Sequence, residues 1–269
     1  MLEINEKEVI EVILNFIEEY TEKAGINRVV IGLSGGVDSS VVAKLATMAL
    51  GKENVYSLFL PDGSTPLEDF EHSRLMAKIL GIYYKVIDIS PLLSPIINVC
   101  DKMDEIVLGN IKARIRMILL YQFANSRKAL VCGTLNKTEL LVGYFTKYGD
   151  GASDFLPIGD LYKTQVYKIA EYLEIPEEII KKPPTAGLWK GQTDEDELGI
   201  TYDKLDKILY CIERGFDIDK IANMANVEVK EVNRIYEMVN RTEHKRRLPP
   251  IAKIGFRTVG VDWRFPLKL

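Results

Sequence analysis

The first half of the chain alternates between short apolar runs and longer stretches with apolar residues at helical spacing. The run 28–33 (RVVIGL) is β-branched and bounded by turn residues, which is typical of a buried strand. Apolar residues at positions 9, 13, 16, 17 and 20 predict an amphipathic helix that begins at Asn5 and ends at Gly25. The same reasoning predicts strands over 55–60, 83–88 and 129–133, and helices over 41–50, 67–80, 92–102 and 110–125. Strands that alternate with helices in this way indicate a parallel sheet with helices on both faces.

The second half of the chain is predicted to be mostly helical. Helices are expected over 162–173, 202–214, 219–224 and 229–240, and the stretch 181–193, rich in Pro, Gly, Lys and Thr, predicts a loop. No repeat or low-complexity linker separates the two halves. We therefore expect one domain over 1–269, with an α/β core at about 25–180 and a helical part at about 200–245.

Composition and charge narrow the class of protein. The chain has 269 residues, 47% of them hydrophobic, and a net charge of −4, which argues against a surface that binds nucleic acid throughout. Three cysteines at distant positions predict neither a disulfide framework nor a zinc knuckle. The acidic amino terminus does not resemble a signal peptide, and no apolar run is long enough to cross a membrane. These features predict a cytoplasmic protein.

The strongest local signal for chemistry is the segment 33–40 (LSGGVDSS), between a predicted strand and a predicted helix. Two glycines let the backbone turn tightly, and free amides at the start of a helix bind anions. Ser34, Ser39 and Ser40 add hydroxyl donors. The segment matches neither GxxxxGK[ST] nor GxGxxG, so it is not the loop of a P-loop NTPase or of a dinucleotide oxidoreductase. Asp38 would repel a phosphate unless a divalent cation lay between them, which predicts Mg²⁺.

The segment Ser34–Ser39 (SGGVDS) resembles the SGGxDS loop of the ATP pyrophosphatases, also called PP-loop enzymes. Their loop holds the pyrophosphate of ATP while AMP is transferred to an oxygen of the substrate. Several activities share it, among them amination of nucleotides, thiolation of tRNA and synthesis of NAD.

Five further segments resemble NAD synthetases and occur in that family's order. They are 132–139 (CGTLNKTE), 143–151 (GYFTKYGDG), 182–186 (KPPTA), 195–202 (EDELGITY) and 244–246 (HKR). The resemblance spans residues 32–247. It implies a Rossmann-like fold of the adenine nucleotide α-hydrolase type, with a helical C-terminal part.

The resemblance also implies roles for individual residues. Asp38 and Glu139 would hold Mg²⁺ and, with Asp150 and Lys163, form the catalytic set. ATP would contact Gly32, Leu33, Ser34, Gly35, Gly36, Val37, Asp38, Ser39, Thr134, Lys163 and Thr185. Deamido-NAD would contact Arg114, Lys147, Asp154, His244 and Lys245. Arg116 is expected to be a surface charge, and no ATP contact is assigned to 62–71.

The reaction implied is the ATP-dependent amidation of deamido-NAD to NAD, which releases AMP and pyrophosphate. Residue 2 is leucine and the family segments begin near residue 32, so we expect free ammonia rather than glutamine as the nitrogen donor. The family forms homodimers, and no nucleic acid or membrane partner is expected.

Two alternatives stay open at this point. One is another PP-loop activity, either tRNA thiolation or nucleotide amination. The other, more remote, is a DNA-binding protein, because 218–238 resembles a helix-turn-helix pair.

Overall fold

The computed structural model describes residues 2–189 and 191–263. Its centre is a parallel sheet of four strands in the order β3-β2-β1-β4, where β1 is Val29–Gly32, β2 is Val55–Phe59, β3 is Tyr83–Val86 and β4 is Leu130–Val131. Val29 pairs with Val55 on one side and with Leu130 on the other. This order confirms the predicted Rossmann-like α/β fold. From β1 the chain adds β2 and β3 on one side of the sheet and then returns to place β4 on the other side, so the strand order reverses between β1 and β4. Ligands of such sheets bind beyond the carboxyl ends of the strands at that reversal.

Twelve α-helices lie within the described residues. Those of the α/β part are α1 (Glu6–Ala24), α2 (Val37–Leu50), α3 (Leu67–Leu80), α4 (Ser90–Val99), α5 (Glu105–Arg127), α6 (Lys137–Val142), α7 (Lys163–Tyr172) and α8 (Glu177–Lys181). Those of the helical part are α9 (Asp194–Leu198), α10 (Tyr202–Glu213), α11 (Ile218–Ala225) and α12 (Val229–Arg241).

Alternating side chains of β1 serve the two faces of the sheet. Val29 and Ile31 pack into a core with α1, α2 and α7, whereas Val30 packs into a second core with α4 and α5. Both faces are apolar because both are covered by helices, as the β-branched run predicted. A third core joins α10, α11 and α12 to α6 and to Tyr162, the residue before α7. The helical part is therefore packed against the elements that follow β4.

Several element boundaries differ from the predictions, and two helices begin clearly earlier than predicted. Helix α2 begins at Val37 rather than at residue 41, because the hydroxyls of Ser39 and Ser40 donate to the Gly36 carbonyl and stabilise the first turn. Helix α5 begins at Glu105, since Asp104 caps it by accepting from the Val107 amide at 2.8 Å. The short helix α9, capped by Thr193, was not predicted.

Candidate active site

The loop between β1 and α2 is shaped by its two glycines and by serine side chains. Gly35 has φ +85°, and a Cβ at this position would collide with the Asp69 backbone at the start of α3. Ser39 Oγ accepts from the Ser34 amide at 3.2 Å and lies 3.0 Å from Ser34 Oγ. Ser40 is fully buried and its hydroxyl is used within the helix, so the expectation that it offers a donor to a ligand was wrong.

Asp38 lies in the first turn of α2, where two other elements reach it. Its Oδ1 accepts from Asn136 Nδ2 at 2.9 Å, and its Oδ2 forms an ion pair with Lys163. Asn136 is fully buried and also caps α6. Its side-chain Oδ1 accepts from the Glu139 backbone amide, and the backbone amide of Asn136 donates to Glu139 Oε2, both at 3.0 Å. One asparagine therefore fixes the relative positions of Asp38 and Glu139.

Lys163 and the two carboxylates form one electrostatic unit. Burial raises the pKa of Glu139, and the negative charge of Asp38 raises it further. Burial would lower the pKa of Lys163, but Asp38 and Glu139 outweigh it and raise that pKa above its usual range. The lysine is therefore held as a cation beside the diglycine loop.

These groups open into a cavity of about 680 Å³ at the carboxyl ends of β1 and β4. Most of the predicted ATP and catalytic residues line it: Gly32, Leu33, Ser34, Gly36, Val37, Asp38, Thr134, Glu139, Asp150, Lys163 and Thr185. Gly35 and Ser39 lie behind this surface, where they shape the loop. The topology thus brings together residues that are up to about 150 positions apart in the sequence.

The predicted deamido-NAD residues lie elsewhere, apart from Lys245. Lys245 lines the cavity and donates from Nζ to the carbonyls of Gly143 and Phe145. Arg114, Lys147 and His244 are not part of the cavity wall but are joined to one another: Arg114 donates to the Lys147 carbonyl at 3.3 Å and Lys147 Nζ to the His244 carbonyl at 2.8 Å.

Asp154 lies apart from that group and is held by groups at the sheet edge. Its Oδ2 accepts from the Val131 amide at 2.7 Å, and Tyr121 donates to its Oδ1. The backbone carbonyl of Asp154 accepts from the Tyr20 hydroxyl at 2.7 Å. Asp154 therefore links β4 to α1 and α5.

Arg116 was expected at the surface, and this was wrong. Its guanidinium is largely buried, lines the cavity, donates to the Leu60 carbonyl at 2.9 Å and lies 3.8 Å from Asp62. Asp62 in turn forms an ion pair with Lys112 at 2.8 Å. An arginine on a helix can be placed only when the facing loop is known, and no local pattern identified Asp62 as its partner.

Sequence reasoning also missed the contacts that hold the 182–189 loop over the cavity. Lys182 forms an ion pair with Asp69 of α3, and Lys112 Nζ donates to the Leu188 carbonyl at 2.7 Å. Asp69 and Lys182 both line the cavity. The SGGxDS-type loop, α3 and the 182–189 loop thus meet at one place.

Asp194 is a further cavity residue that the sequence reasoning did not assign. It is buried, and its Oδ2 accepts from the Tyr202 hydroxyl at 2.9 Å, while its Oδ1 has no hydrogen-bond partner. Burial raises the pKa of this carboxyl. Tyr144, Gln192 and Glu197 lie next to it on the same wall.

The donor set at Asp38 and Glu139 is suited to a magnesium ion that shares its ligands with a phosphate. Among residues 2–189 and 191–263, no group of three or more His, Cys, Asp or Glu side chains could hold a metal. A pair of carboxylates beside an anion-binding loop is the arrangement in which Mg²⁺ takes its other ligands from phosphate oxygens and water.

Comparison with known proteins agrees with this geometry. A family model described as NAD synthase matches residues 9–249. A curated protein of Pyrococcus horikoshii, named NH(3)-dependent NAD(+) synthetase, is 51% identical over 243 residues, which are 90% of this chain and 92% of that protein. One of the same name from Methanocaldococcus jannaschii is 47% identical over 252 residues, 92% of this chain and 97% of that protein.

Solved structures of about the same length are also similar. The NMN synthetase of Francisella tularensis has a TM-score of 0.84 at 35% identity, over 94% of this chain and all of that chain. The NH3-dependent NAD synthetase of Campylobacter jejuni has a TM-score of 0.80 at 34% identity, over 93% of this chain and 100% of that chain. No helix within the described residues is long and apolar enough to cross a membrane. From the family match, the relatives and the shared fold, the chain belongs to the NAD synthase family and is an enzyme.

Proposed function

We propose that the chain makes NAD from deamido-NAD, ATP and ammonia through an adenylated intermediate. The observation that carries this proposal is the set of Asp38, Glu139 and Lys163 at the diglycine loop, on the wall of one cavity with Thr134 and Thr185. Relatives named NH(3)-dependent NAD(+) synthetase at 47–51% identity support it. These comparisons do not favour the two alternatives, which were a different PP-loop activity (tRNA thiolation or nucleotide amination) and DNA binding.

The reaction divides into two steps. In the first, the nicotinate carboxylate attacks the α-phosphorus of ATP, and the bond to pyrophosphate breaks. In the second, ammonia attacks the carbonyl carbon of the acyl-adenylate, AMP leaves, and a proton is released. Neither step requires a nucleophile from the protein, so catalysis consists of positioning and charge stabilisation.

The residues of the site suit those demands. The loop from Ser34 to Val37 lies at the start of α2, where unpaired amides favour an anion such as the pyrophosphate. Lys163 supplies a fixed positive charge beside it. Bound at Asp38 and Glu139, Mg²⁺ would neutralise phosphate charge. Thr134 and Thr185 are proposed to contact ATP from two other sides of the cavity.

The dinucleotide is proposed to extend from the cavity onto the surface. Lys245 and Asp150 line the cavity, whereas Arg114, Lys147 and His244 lie beside it and Asp154 lies at the sheet edge. A ligand longer than one nucleotide could reach from one group to the other.

Ammonium is proposed to bind next to Asp194. The unpartnered Oδ1 of this buried carboxylate can accept a hydrogen bond from the cation, and the wall around it carries Glu197 and Gln192. Transfer of the proton from ammonium to the carboxylate would leave ammonia as the nucleophile.

Product analysis tests the proposed function. The purified chain with ATP, Mg²⁺, ammonium and deamido-NAD should form NAD, AMP and pyrophosphate in equal amounts, and glutamine without ammonium should form none. Asp38→Ala should abolish adenylate formation while circular dichroism stays unchanged. The matched control is Asp160→Ala, because the Asp160 side chain is 96% exposed. Absence of NAD, or robust turnover with glutamine alone, would refute the proposal.

The similarity to an NMN synthetase defines a second measurement. Nicotinate mononucleotide should be amidated with a lower kcat/KM than deamido-NAD if the surface residues bind the second nucleotide. The reverse preference would change the assigned substrate but not the class of reaction.

A further inference from the structure

Helix α7 carries Lys163 at its first position, and the first two amides of this helix donate hydrogen bonds to side chains of two other helices. The Lys163 amide donates to Thr138 Oγ1 at 2.9 Å, and the Thr164 amide donates to Asp206 Oδ2 at 2.8 Å. Amides in the first turn of a helix have no partner within the helix, so side chains from elsewhere must bind them if they are buried. Here α6 and α10 supply those side chains.

The two acceptors are also bonded to each other. Thr138 donates from Oγ1 to Asp206 Oδ1 at 2.6 Å, and both residues are fully buried. A continuous chain of hydrogen bonds therefore runs from Asp206 through Thr138 to the backbone of Lys163. Burial raises the pKa of Asp206, but both of its oxygens accept hydrogen bonds, which is the pattern of the carboxylate form.

This chain bears on the active site in two ways. A lysine in the first turn of a helix is unfavourable for the helix dipole, and a carboxylate at the same end offsets that cost. Thr138 also directly precedes Glu139, so the same contact fixes α6 against α7. Neither Asp206 nor Thr138 lines the cavity.

We propose that Asp206 and Thr138 are positioning residues for Lys163. Their hydrogen bonds hold the start of α7 so that the charged amino group of the Lys163 side chain stays against Asp38 at the cavity wall. The proposal rests on the proposed function and extends it to the helical part of the molecule. Asp206 thereby acts on the transfer of AMP without lining the cavity in which the substrates are proposed to bind.

Two variants of Thr138 test the role of the hydroxyl. Thr138→Val removes both hydrogen bonds at nearly constant volume, and Thr138→Ser keeps them. We expect Thr138→Val to lower kcat by about ten- to a hundredfold, as a small misplacement of a catalytic group does. The KM for deamido-NAD should stay within about threefold, because that substrate is not held by Lys163. Thr138→Ser should restore most of kcat.

The control for a buried threonine is Thr21→Val in α1. Thr21 is buried too, and its hydroxyl bonds to the carbonyl of Ile17 at 2.9 Å, within its own helix rather than to α6 or α7. It should lower thermal stability without changing kcat. If Thr138→Val keeps kcat within about twofold of the parent, or if Thr138→Ser is as impaired as Thr138→Val, the proposal is wrong.

A double-mutant cycle separates positioning from general destabilisation and covers a poorly folding Thr138→Val. Asp206→Asn should lower the rate of adenylate formation in the parent background. It should have little further effect in the Lys163→Met background, because its effect passes through Lys163. Full additivity of the two losses would overturn the proposal. Failure of the parent itself to form NAD would instead refute the proposed function, so the two outcomes are distinguishable.

Discussion

At the residue scale, Asp194 combines burial with an unsatisfied carboxylate oxygen on the cavity wall. Leaving a charged oxygen without a partner costs stability, and the protein retains it at a place where a cation would complete its contacts. Such a group is expected where function and stability have opposite requirements.

Asp194→Asn should raise the KM for ammonium about tenfold or more and leave the KM for ATP nearly unchanged, because only the nitrogen donor loses its charged partner. Initial rates at varied ammonium concentration measure this. Asp196→Asn, the same change at an exposed position of α9, is the control. An unchanged ammonium KM in Asp194→Asn would contradict the assignment.

The same variant should be more stable than the parent. Burial raises the pKa of Asp194 in the folded state. The protonated carboxyl therefore adds to the free energy of unfolding at acidic pH, and this addition is lost as the pH rises through the raised pKa. The free energy of unfolding of the asparagine variant should therefore be higher than that of the parent by about 1 kcal/mol at neutral pH, and this difference should vanish near pH 4. Thermal melts at both pH values measure it.

At the element scale, α5 forms the floor on which the 182–189 loop rests. Gly109 of α5 has no side chain, and the Leu188 side chain fills that space: a Cβ on Gly109 would lie 3.0 Å from Leu188 Cδ1. One turn further along, Lys112 donates to the Leu188 carbonyl. The loop is therefore located by a space in the helix and by one charged donor.

Gly109→Ala should displace the loop even though alanine favours the helix by about 1 kcal/mol. We expect a severalfold higher KM for ATP, faster proteolysis within 182–193, and unchanged or higher thermal stability. Adding Leu188→Ala to Gly109→Ala should reverse part of the proteolytic sensitivity, because the contacts with Leu188 Cδ1 and Cγ are removed and only the contact with Cβ at 3.1 Å remains. Wild-type KM and proteolysis in Gly109→Ala would show that this contact does not locate the loop.

The same elements show what a sequence can and cannot predict. The strand at 28–33 and the diglycine loop were predictable because a run of β-branched residues and a pair of glycines are features of neighbouring residues, which the sequence shows directly. Helix α5 was predicted to begin five residues late, because Gly109 usually signals a turn and its packing against Leu188 is a contact between distant segments. The contacts of Arg116 and Lys182 were missed for the same reason: their partners, Asp62 and Asp69, are remote in the chain.

At the scale of the whole molecule, the predicted dinucleotide residues adjoin an exposed apolar surface. Arg114, Ile118 and Tyr121 follow one another at helical spacing on α5, and Ile118 is 58% exposed. Tyr121 contacts Asp154, which Tyr20 of α1 also contacts, and the neighbouring Phe16 is partly exposed. We propose that a second copy of the chain covers this surface and completes the dinucleotide site, in a two-fold homodimer.

Ile118→Glu should convert the dimer to a monomer and reduce kcat/KM for deamido-NAD, since an interfacial charge left unpaired is costly. Sedimentation at several concentrations measures the assembly. Ile79→Glu on α3, which is similarly exposed at 53%, is the control and should change neither property. A parent that is monomeric and fully active would contradict this proposal.

We also propose that the α/β core and the helical part form one domain. The buried bond between Thr138 and Asp206 and the place of Tyr162 in the core of α10–α12 join them close to the catalytic lysine. Helices α11 and α12, which resembled a DNA-binding pair in the sequence, pack against α10 in that core.

The bend at Gly35 also limits how this sequence can diverge. Its positive φ disfavours any residue with a side chain by about 1–2 kcal/mol, and the nearby Asp69 main chain leaves no space for a Cβ. A change that relieves one restriction leaves the other in force, so a single second mutation would not remove both. An alanine at this position would therefore displace the start of α3 as well as the loop, so a change at this one residue would disturb two walls of the cavity.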